Sequence, residues 1–159
     1  TLNPASFGLW GRKGGVWYRV EEYYYDARAE GSQKTDSEYG EALARLAGDR
    51  PIEYVVVDPS AASFIEVLRR AGWRVRKADN RVLEGIRRTA RALRDGEIVV
   101  CRSCAAAIRE FSMYCWDLKS GEDRVVKEHD HAMDDIRYFV MSLEGEPPLA
   151  AVSVERTAF

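Results

Sequence analysis

Two segments rich in aromatic and β-branched residues open the chain. They are residues 5–10 (ASFGLW) and 16–25 (VWYRVEEYYY), and Gly14 and Gly15 lie between them. Such runs on either side of a short glycine turn predict two antiparallel strands. Residues 54–57 (YVVV) are continuously apolar, and this pattern is typical of a strand that is buried on both faces.

Elsewhere the apolar positions recur with the spacing of a helix or of a short strand. The pattern predicts helices at residues 35–47, 61–72, 81–94, 103–116 and 130–142, and further strands at residues 73–76 and 97–100. A hairpin followed by alternating strands and helices predicts an α/β fold, with a mixed sheet flanked by helices. Because Pro147 and Pro148 cannot continue a helix, we expect one domain over residues 1–143 and a tail over residues 144–159.

Length and composition favour a single soluble domain. The chain has 159 residues, of which 31% are charged, and a formal net charge of −2; this length suits one domain, which we expect to be monomeric. No apolar run approaches the ~20 residues that a membrane helix needs, and no signal-peptide pattern opens the chain. We therefore expect a cytoplasmic protein with no membrane contact.

The basic residues are concentrated in one part of the sequence. Residues 69–94 carry ten basic and two acidic side chains, so this segment has a charge of +8 and the rest of the chain has −10. Segregated charge of this size predicts a surface that faces a polyanion. The alternative is a solvated helix face, and the charge alone does not decide between the two.

Asp58 directly follows the apolar run of residues 54–57. Open α/β sheets bind their ligands at the carboxyl ends of strands, so Asp58 is a candidate functional residue. Aspartate is also a preferred helix N-cap, and Pro59 suits the first position of a helix. On local sequence alone, the cap is the favoured interpretation.

The last predicted helix carries a second group of candidates. Its polar side holds His131, Asp134, Asp135 and Tyr138, with Asp130 just before them. Carboxylates at this spacing repel one another, and a divalent cation would relieve the repulsion. Hard oxygen ligands suit Mg²⁺ or Mn²⁺ better than zinc. A solvated acidic face, compensated by the helix dipole, is the alternative.

Two other patterns give weaker signals. Cys101 and Cys104 form a C-x-x-C motif, but Cys115 adds no second pair. We favour small buried hydrophobic residues over a zinc or redox site, and three cysteines are too few for a disulfide scaffold. The chain contains no G-x-x-x-x-G-K-[ST] loop, so it is not expected to bind a nucleotide.

Four segments, taken in order, resemble the C-terminal nuclease domain of the large terminase subunit of tailed bacteriophages and prophages. They are TLNPASFGLW at the start, YVVVDPSAASF, RKADNRVLEGIRR and HDHAMDDIRYFV, which together span roughly residues 1–141. The resemblance implies an RNase H-like fold. It also implies a metal-dependent endonuclease that cuts concatemeric double-stranded viral DNA during packaging, by hydrolysis with two Mg²⁺ or Mn²⁺ ions.

The resemblance also assigns roles to residues. It implies that Asp58 and Asp134 bind the metal, with His131 as an auxiliary ligand or proton-transfer group. Asp135 and Asp130 become further candidate ligands. The DNA contacts that it implies are Lys77, Asn80, Arg81, Arg87, Arg88 and Arg91.

One part of the family pattern lies outside this sequence. The family carries an aspartate just before the position that matches Thr1, within an Asp-aromatic-Gly-Thr sequence, and full activity is expected to need it. The resemblance also implies an upstream ATPase domain, a portal protein and a small terminase subunit as partners in the host cytoplasm. Two alternatives stay open: a non-catalytic DNA-binding module, and another RNase H-like nuclease such as a ribonuclease H or a junction resolvase.

Overall fold

A mixed sheet flanked by helices forms the centre of the molecule. The computed structural model of the protein describes residues 4–113, 130–143 and 154–158. The strands are β1 (Ala5–Lys13), β2 (Val16–Tyr25), β3 (Ile52–Val57), β4 (Val75–Lys77), β5 (Ile98–Val100) and β6 (Val154–Ala158). The helices are α1 (Ala27–Glu30), α2 (Asp36–Ala47), α3 (Ala62–Arg70), α4 (Val82–Arg94), α5 (Ala105–Met113) and α6 (His131–Ser142). The predicted α/β architecture is confirmed.

The sheet combines antiparallel and parallel pairs. Its strand order in the described residues is β4-β3-β6-β1-β2-β5. Strands β1 and β2 form the predicted antiparallel hairpin, while β3 runs parallel to β4 and β2 runs parallel to β5. The hairpin turn needs φ above zero at both central residues, which Gly14 (φ 58°) and Gly15 (φ 78°) supply.

A bulge in the hairpin changes which side chains share a face. Leu9 pairs with Glu21 and Trp10 pairs with Arg19, so β2 carries one extra residue at this point. An extra residue shifts the alternation of side chains by one position. Arg19 and Glu22 consequently point to the same side, and Arg19 Nη2 donates to Glu22 Oε2 at 3.3 Å.

Strand β6 corrects the predicted tail. It lies between β1 and β3, antiparallel to the first and parallel to the second. Residues 154–158 therefore belong to the sheet. The sequence pattern ended at Pro147 and Pro148 and did not predict the strand after them. The pairing of β6 with β1 and β3 depends on residues that are distant in sequence. Residues 144–153 lie outside the described part of the chain, and the domain boundary at residue 143 stays a prediction.

Two apolar cores cover the two faces of the sheet. On one face, Phe7 and Val55 pack with Leu43 of α2 and Phe64 of α3, and the rings of Phe7 and Phe64 stack at 6.0 Å. On the other face, Trp10 stacks on Phe139 of α6 with ring centroids 4.0 Å apart. Helix α6 is thereby held against the sheet, buried along most of its length.

The helix boundaries agree closely with the predicted ones, with two exceptions. The short helix α1 was not predicted; Asp26 caps it, and Gly31 ends it with φ 67°. The predicted helix 103–116 is described only as Ala105–Met113, and its last residues lie outside the described ranges. None of the helices described here has the length and apolar character needed to cross a bilayer.

Helices α4 and α6 meet at a glycine. A Cβ atom at Gly85 would lie 2.5 Å from Cγ and 2.7 Å from Cδ of Arg137. These atoms lie in the middle of a side chain that is only 4% exposed, so they have little room to move. The absence of a side chain at Gly85 is therefore what allows the two helices to approach.

Gly85→Ala is expected to lower the free energy of unfolding by about 1–3 kcal/mol, because it overpacks this contact. Gly40→Ala is the matched control, since Gly40 also lies within a helix but its Cβ would meet Val67 Cγ1 at an ordinary 3.5 Å. Alanine should stabilise that helix by about 0.5–1 kcal/mol. Urea denaturation of both variants measures the difference, and equal stabilisation would contradict the packing of Arg137 on Gly85.

Candidate metal centre

Asp58 lies at the carboxyl end of β3 and is not the cap of the following helix. Helix α3 begins after Ala61, which makes no side-chain cap. The Asp58 carboxylate instead accepts hydrogen bonds from the Ser60 backbone N–H at 2.7 Å and from the Tyr138 hydroxyl at 2.6 Å. The cap interpretation was wrong, because the decisive partner comes from α6, 80 positions away in sequence.

The environment keeps Asp58 ionised. Partial burial alone would raise the pKa of Asp58, but the hydrogen bonds from Tyr138 and Ser60 and the nearby charge of Arg137 outweigh it. The pKa therefore lies below the usual value of an aspartate. Hydrogen bonds to the charged form have this effect because protonation would weaken them. Asp58 thus presents a negative charge at the end of the sheet.

Asp134 lies on α6, the helix whose Tyr138 contacts Asp58. It is half-buried on α6 and accepts a hydrogen bond from Arg137 Nη2 at 2.8 Å. Tyr138, which follows Arg137, holds Asp58, and burial together with these two carboxylates raises the pKa of the Tyr138 hydroxyl. Tyr138 therefore relates the two aspartates: its hydroxyl binds Asp58, and it stands one helical turn after Asp134 on α6.

His131 stands at the start of α6, on the side of Asp134. Its charged neighbours are Asp130 and Asp134, together with Asp26 and Arg28 from the α1 segment. Burial lowers the pKa of His131 despite the three carboxylates around it, so the imidazole is neutral at pH 7. A neutral imidazole keeps one nitrogen lone pair available for a metal or a proton.

Asp135 lies in a different environment from its neighbour Asp134. It is fully buried and faces the sheet, where Ser6 Oγ and both terminal nitrogens of Arg19 donate to its carboxylate. Burial raises the pKa of Asp135, while attraction to this carboxylate keeps the pKa of Arg19 above its usual value in spite of the guanidinium's own desolvation. We treat the two as an ion pair. The structure does not bring Asp135 to the edge where Asp58 lies.

The described residues offer two candidate carboxylate ligands for a metal, Asp58 and Asp134. They contain no group of three or more His, Cys, Asp or Glu side chains that could hold a metal ion. Asp58 and Asp134 nevertheless fit Mg²⁺ or Mn²⁺ by their chemistry. These ions are commonly bound through one or two carboxylates, with water and substrate phosphate completing the shell. Asp130, buried just before α6, adds no cap to that helix.

Glu110 of α5 supports this site, and no sequence pattern had indicated it. The carboxylate is fully buried. It accepts from the backbone N–H groups of Ala132 at 2.7 Å and Met133 at 3.2 Å, and from the Tyr24 hydroxyl. Burial raises the pKa of Glu110. Glu110 satisfies the free N–H groups in the first turn of α6 from outside the helix, and so fixes the end of the helix that carries His131 and Asp134.

The predicted DNA contacts fall into two groups. Arg81 forms ion pairs with Asp79 and Glu84, and Arg88 with Glu97. The other four are exposed and form no ion pair within the described part of the chain: Lys77, Asn80, Arg87 and Arg91. These four remain the better candidates for binding phosphates, because none of them has to break an ion pair.

The C-x-x-C motif shows no sign of reactivity. Cys104 is buried, and its thiol donates to the backbone oxygen of Arg19 at 3.2 Å. Burial raises the pKa of Cys104 to about 11. A thiol with a raised pKa is a poor nucleophile and a poor metal ligand at neutral pH. Cys101 is a half-buried free thiol.

The mixed sheet flanked by helices, together with the family and the solved structures that it matches, places the protein in the RNase H-like class of domains. The chain belongs to the terminase RNase H-like domain family, whose model matches residues 5–143. Membership of this family confirms the resemblance that the four sequence segments indicated.

Solved and curated relatives give the same result. The large terminase of a thermophilic bacteriophage, solved in complex with ADP, is 49% identical with a TM-score of 0.88, covering 92% of this chain and 38% of that one. A second crystal form of it is 50% identical with a TM-score of 0.87, covering 90% and 37%. The terminase large subunit of Escherichia phage T5 is 26% identical over 133 residues, covering 79% of this chain and 30% of that protein. The chain thus spans about a third of the relatives it matches.

Proposed function

We propose that this domain is the metal-dependent endonuclease of a DNA-packaging terminase and that it cuts concatemeric double-stranded DNA. The observation that carries the proposal is that Tyr138 of α6 donates to Asp58 and also lies one helical turn after Asp134, whose charge acts on the same hydroxyl. Membership of the terminase RNase H-like family supports it. The exposed arginines of α4 supply a surface of the right charge for DNA.

Asp58 and Asp134 would hold Mg²⁺ or Mn²⁺, and the aspartate that the family carries before Thr1 would complete the ligands. A pair of such ions supplies an activated water as nucleophile and stabilises the leaving 3′ oxygen. Tyr138 and the Ser60 N–H orient the Asp58 carboxylate. His131, neutral at pH 7, is available as an auxiliary ligand or to move a proton. Asp135 takes no part, because Arg19 and Ser6 occupy its carboxylate.

Partners follow from the relatives. The chain spans only 30% of the phage T5 large subunit and 38% of the thermophilic phage terminase, which was solved with ADP. This difference in length supports a longer parent protein that also carries an ATPase domain. We extend the proposal to a portal protein and a small terminase subunit as partners in the host cytoplasm. We also propose that this domain does not itself bind a nucleotide.

A cleavage assay tests the proposed function. The chain, and a version extended by the family's Asp-aromatic-Gly before Thr1, are incubated with supercoiled plasmid and Mn²⁺, Mg²⁺ or EDTA. We expect nicking and linearisation by the extended protein with either metal and none with EDTA. Retention of plasmid without cleavage under every metal would favour the DNA-binding module instead. Preference for an RNA–DNA hybrid or a four-way junction over duplex DNA would favour the other RNase H-like nucleases.

Arg87→Ala and Arg91→Ala are each expected to weaken duplex binding without changing sequence preference. Each phosphate contact that is lost should reduce the slope of log K against log salt by about 0.9. Arg81→Ala is the comparison, because Arg81 is already paired with Asp79 and Glu84, and its effect should be smaller. Fluorescence anisotropy across a salt series measures all three. Equal salt slopes for Arg87→Ala, Arg91→Ala and the unmodified protein would show that these two arginines of α4 do not contact the DNA.

A further inference from the structure

We propose that Arg137 is a built-in counter-cation of the candidate metal centre, which holds Asp134 in the metal-free protein and weakens metal binding until it is displaced. The inference rests on the proposed function, since it concerns the same carboxylates. It assigns Arg137 a positioning and regulatory role, distinct from the direct metal contacts of Asp58 and Asp134.

The first argument is the position of the guanidinium. Nη2 of Arg137 donates to Asp134 Oδ1 at 2.8 Å, and the Arg137 side chain is almost completely buried beside a partly exposed Asp134. A buried cation therefore lies against a carboxylate of the candidate metal centre.

The second argument is that the protein holds the guanidinium there. The Arg137 stem packs on Gly85, where no side chain could be accommodated. Nη1 reaches the backbone oxygen of Arg81 at 3.5 Å, and the guanidinium carbon lies 4.8 Å from the centre of the Tyr138 ring. A glycine in α4 thus makes room for an arginine that points along α6 toward Asp134.

The third argument is electrostatic. Two carboxylates that approach without a cation repel each other, and a guanidinium relieves this repulsion with charge-assisted hydrogen bonds. The same guanidinium repels an incoming divalent ion and competes for the Asp134 oxygen that the ion would bind. The apo site is consequently stabilised, and the metal affinity is set by the competition of two cations for the same carboxylate.

Mn²⁺ binding to three variants tests the inference by calorimetry, without any measurement of cleavage. Arg137→Met keeps the length of the stem but removes the charge, and it should bind Mn²⁺ at least about tenfold more tightly than the unmodified chain. Arg137→Lys keeps the charge, and its affinity for Mn²⁺ should stay within about threefold of that of the unmodified chain. Arg45→Met is the matched control, because Arg45 pairs with Glu41 on the exposed side of α2, and its affinity should not change.

The inference would be overturned if Arg137→Met bound Mn²⁺ no more tightly than the unmodified chain. It would also be overturned if Arg137→Lys bound Mn²⁺ as tightly as Arg137→Met. Absence of Mn²⁺ binding in both the unmodified chain and Arg137→Met also counts against it. The proposed function is judged separately, by plasmid cleavage with the extended chain. A domain that cuts DNA while Arg137→Met fails to bind Mn²⁺ more tightly would refute the counter-cation and leave the nuclease in place.

A measurement on the unmodified protein covers the case in which Arg137→Met does not fold. Side-chain ¹⁵N spectra report whether the guanidinium of Arg137 is held in a hydrogen bond. Saturation with Mg²⁺ should shift the Arg137 Nη2 signal and speed the exchange of its protons, since the hydrogen bond from Nη2 to Asp134 is lost. An Arg137 signal that is unchanged at saturating Mg²⁺ would show that the two cations do not compete.

Discussion

Asp58→Asn and Asp134→Asn are each expected to reduce Mn²⁺-dependent plasmid cleavage by about 10²–10⁴-fold, because a bound ion contributes several kcal/mol and each 1.4 kcal/mol is tenfold in rate. Each variant removes one negative charge from a site formed by two described carboxylates. The neutral oxygen of an amide attracts a divalent ion less strongly than a carboxylate does. The extended chain is the protein to use, with initial rates of nicking as the measurement.

Two controls separate loss of metal from loss of fold or of DNA binding. Asp49→Asn changes an exposed aspartate after α2 and should cut at the rate of the unmodified protein. Duplex affinity of Asp58→Asn and Asp134→Asn in EDTA should be unchanged or higher, since each variant is less negative near the phosphates. Cleavage at the unmodified rate by either variant would show that its carboxylate does not bind the catalytic metal.

The buried pair of Arg19 and Asp135 is expected to give the largest effect on stability. Arg19→Met or Asp135→Leu alone should lower the free energy of unfolding by about 3–5 kcal/mol, because each leaves one charge buried without its partner. Both side chains are fully buried. The double variant should recover most of that loss, since apolar side chains of similar volume often replace a buried pair at no cost.

Urea denaturation of the two single variants and the double variant measures this coupling. Arg50→Met is the control, because Arg50 pairs with Glu21 at the surface, each 44% exposed, and its loss should cost less than about 1 kcal/mol. Simple additivity of Arg19→Met and Asp135→Leu would contradict a coupled pair. The double variant also tests the role of Asp135: unchanged Mn²⁺ binding would exclude it as a ligand.

The distribution of apolar residues was enough to predict most of the elements. The hairpin of β1 and β2, strand β3 and helices α2, α3, α4 and α6 lie within a few residues of the predicted segments. These elements bury one face or both, so their periodicity is written into neighbouring residues. Helix α1, which is four residues long, is too short to show a period.

The candidate site was predicted by residue type and only partly by role. A helical wheel placed Asp134 and Asp135 on the same polar side of one helix, because it shows which side is polar but not what that side faces. Asp134 is partly exposed and pairs with Arg137, whereas Asp135 is buried and pairs with Arg19 of β2. Local sequence alone favoured a cap for Asp58, since Tyr138 is distant in sequence, and only the family resemblance assigned Asp58 to the metal.

The sequence by itself determined the elements, the α/β class and the kind of residue at the candidate metal centre, because periodicity and turn chemistry act between neighbours in the chain. The tertiary structure alone decided the place of β6 in the sheet, the burial of Asp135, the support of α6 by Glu110 and the contact of Arg137 with Asp134. Strand pairing, burial and charge neutralisation depend on contacts between segments that are distant in sequence, and a local sequence pattern does not predict such contacts.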